Sequence, residues 1–169
     1  DWELSEFYLD HGGWLLDYYT NWLGPAASAE YMSVVVAPQR PGGAYARRGL
    51  LVMVSSSDFE TAAARHFKGL AHETAHLWWQ NAPTKTWEDW LNESVAEYSA
   101  LLALAARFGE ASFTRYLDHK REQIAGTPPI WGLDRSDLSS ESRMEEIQTV
   151  FYGKGPVLLH ALDVRVGHK

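Results

Sequence analysis

The most informative stretch of this chain is His72-Glu73-Thr74-Ala75-His76. Residues four apart on a helix lie on one face and about one turn apart, so the two imidazoles can bind the same metal ion. Glu73 directly follows the first histidine and would lie where a water molecule binds the metal, which is the position of a general base. The stretch therefore predicts a metal-binding helix in which Glu73 is catalytic.

A catalytic zinc site needs a third protein ligand and one open position. The next predicted helix offers Glu93, within Leu91-Asn92-Glu93-Ser94, and Glu97 lies one turn further along the same face. Leucine and aromatic residues surround both glutamates, which implies burial, where an unpaired carboxylate is costly. We assign Glu93 to the metal beside the two histidines. We expect Asn92 and Glu97 to support the ligands without contacting the metal. Glu97 would accept a hydrogen bond from the outer N–H of a ligating histidine.

The composition limits the class of protein. The chain has 169 residues, of which 46% are hydrophobic and 22% are charged, which is typical of one soluble globular domain over 1–169. The net charge of −7 argues against nucleic acid as a partner and against contact with an anionic membrane, because both require clustered Lys and Arg. Without cysteine the metal site has to use His, Asp and Glu, a donor set that favours zinc.

The two ends of the sequence favour a domain cut from a longer protein. The start at Asp1-Trp2-Glu3 has no initiator Met and lacks the basic and apolar regions of a signal peptide. No stretch approaches the ~18 apolar residues that a membrane span needs. We therefore expect flanking domains in the parent protein, and the localisation stays unknown.

Hydrophobic periodicity and helix breakers predict an α+β fold that is mainly helical, with a small antiparallel or mixed sheet. Ser57 lies three residues before Glu60, which is the spacing of a capping box and sets the start of the metal-binding helix near residue 58. Gly12-Gly13 is expected to interrupt the first helix. The predicted helices span 4–23, 58–79, 89–108, 112–123 and 152–166, the predicted strands span 31–37 and 50–55, and 126–142 is a predicted loop.

Three blocks of the sequence resemble the gluzincin aminopeptidases of the aminopeptidase N type. The stretch 72–81 resembles the family's zinc helix, Leu91-Asn92-Glu93 its third-ligand block, and Tyr152-Gly153-Lys154-Gly155-Pro156 its Tyr-x-Lys-Gly segment. The resemblance covers most of the chain. It implies a thermolysin-like zincin catalytic domain whose small sheet packs on the zinc helix, one zinc ion as cofactor, and a peptide as substrate.

The same resemblance implies that the Tyr152 hydroxyl hydrogen-bonds the oxyanion of the tetrahedral intermediate. The predicted function is hydrolysis of peptide bonds by Glu73-assisted attack of zinc-bound water. An alternative from another class is a zinc-bearing module that binds peptides or supports a structure without turnover. Hydrolysis of a small non-peptide, such as an epoxide, rests on family precedent alone.

The sequence departs from the family in the segment that binds the substrate's amine. The family's Gly-x-Met-Glu-Asn segment aligns with Gly43-Ala44-Tyr45-Ala46-Arg47, so Ala46 stands where a glutamate holds the α-amine. Loss of that carboxylate removes the obvious partner of an ammonium group. We assign Gly43, Ala44, Tyr45 and Ala46 to substrate binding, because their backbone can pair with an extended peptide. Aminopeptidase and endopeptidase activity both remain open.

Two further departures concern the metal site. Sixteen residues separate His76 from Glu93, two fewer than the family's usual interval, so the connecting loop is shorter. The family also has an acidic residue seven positions after the third ligand, where this chain has Ala100. Glu97 falls near the same helix face, and we expect it to substitute for that acid.

Overall fold

The computed structural model describes residues 2–26, 32–37, 44–47, 49–54, 63–133, 136 and 140–167. Its helices are α1 (Trp2–Leu23), α2 (Ala63–Ala75), α3 (Trp90–Phe108), α4 (Glu110–Gln123), α5 (Glu141–Gln148) and α6 (Gly155–Val166). Its strands are β1 (Ser33–Ala37), β2 (Tyr45–Arg47) and β3 (Leu50–Val54). A 3₁₀ turn, Trp87–Asp89, leads into α3, and a π-helical turn, Thr149–Lys154, leads into α6.

The three strands form one mixed sheet in the order β1-β3-β2. β1 runs parallel to β3, with Val35 opposite Val52, and β2 runs antiparallel to β3, with Ala46 opposite Leu51. The prediction of a mainly helical α+β chain with a small sheet is confirmed. The sequence did not predict β2 as a strand, since three residues are too few to show an alternating pattern.

The core lies between α1, α2, α3 and one face of the sheet. β3 buries alternate residues, Leu51 and Met53, in the cluster that contains Phe67 and Leu70 of α2. Alanines on the facing sides of α2 and α3 let the two helices approach closely, because they add little bulk. They are Ala71, Ala75, Ala96, Ala100 and Ala103, all fully buried. This packing fixes α2 against α3 and so positions the side chains that the two helices present.

The predicted interruption of α1 at Gly12-Gly13 is wrong, because α1 runs unbroken through both residues. Gly12 is buried, and a Cβ there would lie 2.9 Å from the terminal methyl of Met32. The glycine therefore permits a close side-chain contact and does not end the helix.

α2 ends earlier than predicted, at Ala75 and not near residue 79. The chain continues in a tight turn in which Leu77 N–H donates to the Thr74 carbonyl and Trp78 N–H to the Ala75 carbonyl, both at 3.0 Å. The indole of Trp78 donates to the Gly24 carbonyl at 2.8 Å, which ties the turn to the end of α1. The capping box at 57–60 and the predicted start of this helix lie outside the described residues.

The segment after α4 contains a helix that the sequence did not predict. α5 begins after Ser140, whose hydroxyl accepts a hydrogen bond from the N–H of Arg143 at 3.3 Å. Charged residues dominate α5, and Ile147 is its one buried residue, so the apolar period was too weak to detect. The predicted last helix begins at Gly155 and not at Tyr152, because the π-helical turn takes up residues 149–154.

No helix among the described residues has both the length and the apolar character that crossing a membrane requires.

Candidate metal centre

The three predicted ligands lie together where α2 meets α3. His72 is in the last turn of α2, His76 directly follows that helix, and Glu93 is in the first turn of α3. The Nε2 atoms of the two histidines are 3.2 Å apart. Oε2 of Glu93 lies 3.4 Å from Nε2 of His72 and 3.5 Å from Nε2 of His76. The three donor atoms thus form a nearly equilateral triangle.

The size of this triangle fits a zinc ion. In tetrahedral geometry with bonds of about 2.0–2.1 Å, neighbouring ligand atoms lie roughly 3.3 Å apart. Each histidine also uses its other nitrogen to fix the ring: Nδ1 of His72 lies 3.0 Å from Oε2 of Glu97, and Nδ1 of His76 lies 2.8 Å from the carbonyl oxygen of Trp79. Both Nε2 atoms therefore face the same point. Two imidazoles and one carboxylate would hold a zinc ion with three ligands, as in catalytic sites that keep one position for a substrate or water.

Opposite charges compensate one another within the triangle. Burial lowers the pKa of His72, but hydrogen bonds with Glu93 and Glu97 outweigh it and raise that pKa to about 9. Burial raises the pKa of Glu93, but hydrogen bonds from His72 and His76 outweigh it and hold the pKa below its usual range. The carboxylate is therefore in the ionised form that a metal requires.

Glu97 lies directly behind His72 in a buried cluster of charges. Its side chain is 1% exposed, and its Oε1 accepts hydrogen bonds from Nζ of Lys68 and Nζ of Lys120, each at 2.6 Å. Burial raises the pKa of Glu97, but Lys68, His72 and Lys120 outweigh it and hold the pKa well below its usual range. When His72 is neutral, an ionised Glu97 accepts the N–H of its Nδ1, which leaves the lone pair on Nε2 for a metal.

The side chain of Asn92 forms hydrogen bonds with the loop that connects His76 to α3. Its Oδ1 accepts a hydrogen bond from the N–H of Ala82 at 3.0 Å, and its Nδ2 donates to the Ala82 carbonyl at 3.0 Å and to Oδ1 of Asp89 at 2.7 Å. The amide thereby fastens the shortened loop to the start of α3, one residue before Glu93.

A cavity of about 780 Å³ opens beside the metal centre. Glu73 lines it and is 8% exposed, and burial raises the pKa of its carboxyl, which makes the carboxylate a stronger base. Of the residues assigned to substrate binding, Ala44, Tyr45 and Ala46 line the cavity, and Gly43 lies outside the described residues. Arg47, which follows Ala46 in the segment aligned with the family's amine-binding block, also lines the cavity, as do Gln80, Thr84 and Asp89, to which the sequence had assigned no role.

Tyr152 reaches the centre from the π-helical turn. Its hydroxyl donates to Oε2 of Glu93 at 2.6 Å, and its ring stacks on His72 with centroids 5.4 Å apart. Two contacts hold the turn in place: Oγ of Ser94 donates to the Phe151 carbonyl at 2.7 Å, and a Cβ on Gly155 would lie only 1.9 Å from Ser94 Oγ. Since only glycine fits there, α6 can start against α3 and bring Tyr152 to the ligands.

The sequence did not predict the two lysines that contact Glu97. Lys68 precedes His72 by four residues, so its helical spacing was a signal that could have placed it near Glu97. Lys120 belongs to α4, and no local pattern relates it to α3 or to the π-helical turn. Only the packing of α4 brings it there.

Comparison with known proteins points to one type of enzyme, although no family model matches the chain. Endoplasmic reticulum aminopeptidase 2 of Bos taurus is 27% identical over 177 residues, which cover 95% of this chain and 18% of the relative. Aminopeptidase N of Streptomyces lividans is 30% identical over 127 residues, covering 69% of this chain and 14% of the relative. Leucyl aminopeptidase of Saccharolobus solfataricus is 31% identical over 109 residues, covering 59% of this chain and 14% of the relative.

The chain thus spans less than a fifth of the length of these relatives. The similarity nevertheless extends over most of the chain, and it repeatedly involves aminopeptidases of the same type. This is the family that the blocks at 72–81, 91–93 and 152–156 resemble. This chain therefore belongs to the gluzincin family of the aminopeptidase N type.

Proposed function

We propose that this chain is the catalytic core of a zinc-dependent peptidase with a thermolysin-like arrangement of sheet and zinc helix. The observation that carries the proposal is the triangle of His72 Nε2, His76 Nε2 and Glu93 Oε2, which opens onto a cavity that Glu73 and Tyr152 also line. These three residues would hold the ion. Zinc, when bound, supplies a Lewis acid that polarises a carbonyl and acidifies water.

Glu73 acts as general base and then as general acid. Its carboxylate takes a proton from the water that attacks the carbonyl carbon of the scissile bond, and it delivers that proton to the departing amine nitrogen as the C–N bond breaks. Its position next to His72 in the sequence and its place in the cavity wall support this role.

Tyr152 stabilises the negative charge that develops on the carbonyl oxygen. Its hydroxyl lies 2.6 Å from a ligand oxygen of Glu93, so it is within a short displacement of any carbonyl that approaches the metal centre. Donation of that O–H to the oxyanion strengthens as the charge grows, which is how such a donor lowers a barrier.

The substrate is an extended peptide that lies along β2. Among the described residues β2 is an edge strand, and all of its residues line the cavity, so its backbone can pair with a peptide as an added strand. Ala46 offers no carboxylate to a terminal amine, and Arg47 adds a positive charge to the same wall. We therefore infer that binding does not require a free N-terminus at this position.

The test uses the zinc-loaded protein and quenched peptides with free or acetylated N-termini. Glu73→Gln should keep one zinc per chain and lose nearly all turnover, whereas wild type should cleave the acetylated peptides as well as the free ones. Equal turnover by Glu73→Gln and wild type would overturn the role of Glu73.

The panel also separates the remaining readings. Cleavage confined to free N-termini would show that an amine is held in spite of Ala46. Zinc binding and peptide binding with no cleavage of either kind would favour a non-catalytic peptide-binding module, which the missing carboxylate at Ala46 would suit.

A further inference from the structure

Lys120 joins two parts of the centre that come from different elements. It lies on α4 with 9% of its surface exposed, and its Nζ donates to Oε1 of Glu97 at 2.6 Å and to the carbonyl oxygen of Tyr152 at 2.6 Å. The first acceptor belongs to the carboxylate that orients His72. The second is in the backbone of the residue whose hydroxyl lies beside Glu93.

Compensation of the Glu97 charge does not by itself account for this placement. Lys68 already donates to the same Oε1 at 2.6 Å, and burial of a second ammonium is costly unless it gains further partners. Within the part of the chain that the structure describes, the contact that distinguishes Lys120 is its bond to the Tyr152 carbonyl. That bond joins α4 to the π-helical turn, so Nζ of Lys120 lies between the Glu97 carboxylate and the backbone of Tyr152.

We propose that Lys120 is a positioning residue that holds Tyr152 in register with the metal ligands. The proposal deepens the function proposed above and rests on it, since the role of the Tyr152 hydroxyl belongs to that function. Lys120 holds the Tyr152 backbone close to Glu97 through its hydrogen bond. Because the Tyr152 ring stacks on His72, the same ammonium group positions both the Tyr152 hydroxyl and the His72 imidazole.

Lys68 provides the matched control, because Lys68→Met and Lys120→Met each remove one ammonium group that donates to Oε1 of Glu97. Lys120→Met should lower kcat roughly 10-fold with KM changed less than about 2-fold. If the loss acts through the hydroxyl, Lys120→Met in the Tyr152→Phe background should cost less than about 2-fold further, because the two changes affect one interaction. The effect of Lys68→Met should be the same in both backgrounds.

A second readout does not depend on turnover. Amide hydrogen exchange of the zinc-loaded variants, followed by mass spectrometry, should show faster exchange across 149–154 in Lys120→Met than in Lys68→Met, with α2 and α3 equally protected in both. Should Lys120→Met fail to fold, Lys120→Gln carries the same test, since it removes the charge and shortens the reach.

The proposal is overturned if residues 149–154 exchange equally in the two lysine variants. It is also overturned if the losses from Lys120→Met and Tyr152→Phe multiply fully. If the wild-type protein binds zinc without turnover while the two lysine variants still differ in exchange across 149–154, the proposed peptidase function is refuted and the placement of Tyr152 by Lys120 is supported.

Discussion

His72 contacts residues of the candidate metal centre that come from other elements, namely Glu93, Glu97 and Tyr152. One nitrogen lies in the donor triangle, the other lies against Glu97, and the ring stacks on Tyr152. We therefore expect a change at any of these neighbours to alter the direction in which Nε2 of His72 points.

Glu97→Gln should weaken zinc binding roughly 10–100-fold, because His72 loses the carboxylate that orients it and raises its basicity. Competition with a chromophoric chelator measures the affinity. Glu122→Gln, an exposed change on α4, serves as the control and should leave the affinity unchanged. Equal affinities for wild type and Glu97→Gln would show that the carboxylate does not support the ligand.

Zinc binding should release a proton from His72 at pH 7 to 8. The pKa of His72 is raised to about 9 without the metal, so the imidazole is protonated below that pH, whereas a ligating imidazole must be neutral. The affinity should therefore rise with pH, by about tenfold per unit for this one group, and level off above pH 9. Calorimetric titration in buffers of different ionisation enthalpy counts the protons, and a count of zero would contradict the prediction.

At the scale of elements, the π-helical turn determines where Tyr152 lies. It depends on the contact between Gly155 and Ser94, on the hydrogen bond from Ser94 to the Phe151 carbonyl, and on Lys154, which donates to the carbonyls of Thr127 and Pro128 at 2.8 Å. These anchors come from α3 and from the loop after α4. Such turns are frequent at functional sites, where they reorient a side chain.

Gly155→Ala should destabilise the protein by roughly 1–3 kcal/mol, because the new methyl group overlaps Ser94 and forces the turn away from α3. Urea unfolding followed by circular dichroism measures the change. Gly13→Ala is the control: a Cβ there meets nothing within 4 Å, so helix propensity should stabilise α1 by about 0.5–1 kcal/mol. Equal stability of Gly155→Ala and wild type would mean that the turn can relax.

At the scale of the whole molecule, the candidate metal site lies where α2 packs against α3. Two donors come from the end of α2 and one from the start of α3, while the core cluster holds the same two helices together further along. We propose that residues 1–169 form one catalytic domain of a longer protein, because the relatives extend far beyond the aligned part. We expect zinc to stabilise the packing of α2 against α3, because its ligands would come from both helices.

Removal of zinc should therefore lower the free energy of unfolding. A ligand that binds only the folded state stabilises it by about 2.7 kcal/mol at 100 times its Kd. Thermal unfolding with added zinc, compared with unfolding in the presence of EDTA, measures the difference. His76→Ala should show no dependence on zinc, and an equally large dependence in that variant would locate the stabilising ion elsewhere.

The sequence by itself determined the features that depend on local spacing. The interval of four residues between His72 and His76 predicts that both imidazoles face one side, and the apolar runs around them predict the helices and two of the strands. The resemblance to aminopeptidases of the N type, which the comparisons confirm, could also be recognised in the sequence alone.

Only the tertiary structure decided how distant segments combine. The approach of Tyr152 to Glu93, the three contacts of Glu97 and the bond from Lys120 to the Tyr152 carbonyl join residues 23 to 59 positions apart. No hydrophobic period encodes such contacts. They arise because α4 and the π-helical turn pack onto α3, where a buried carboxylate has to be neutralised by whatever cations the fold brings within reach.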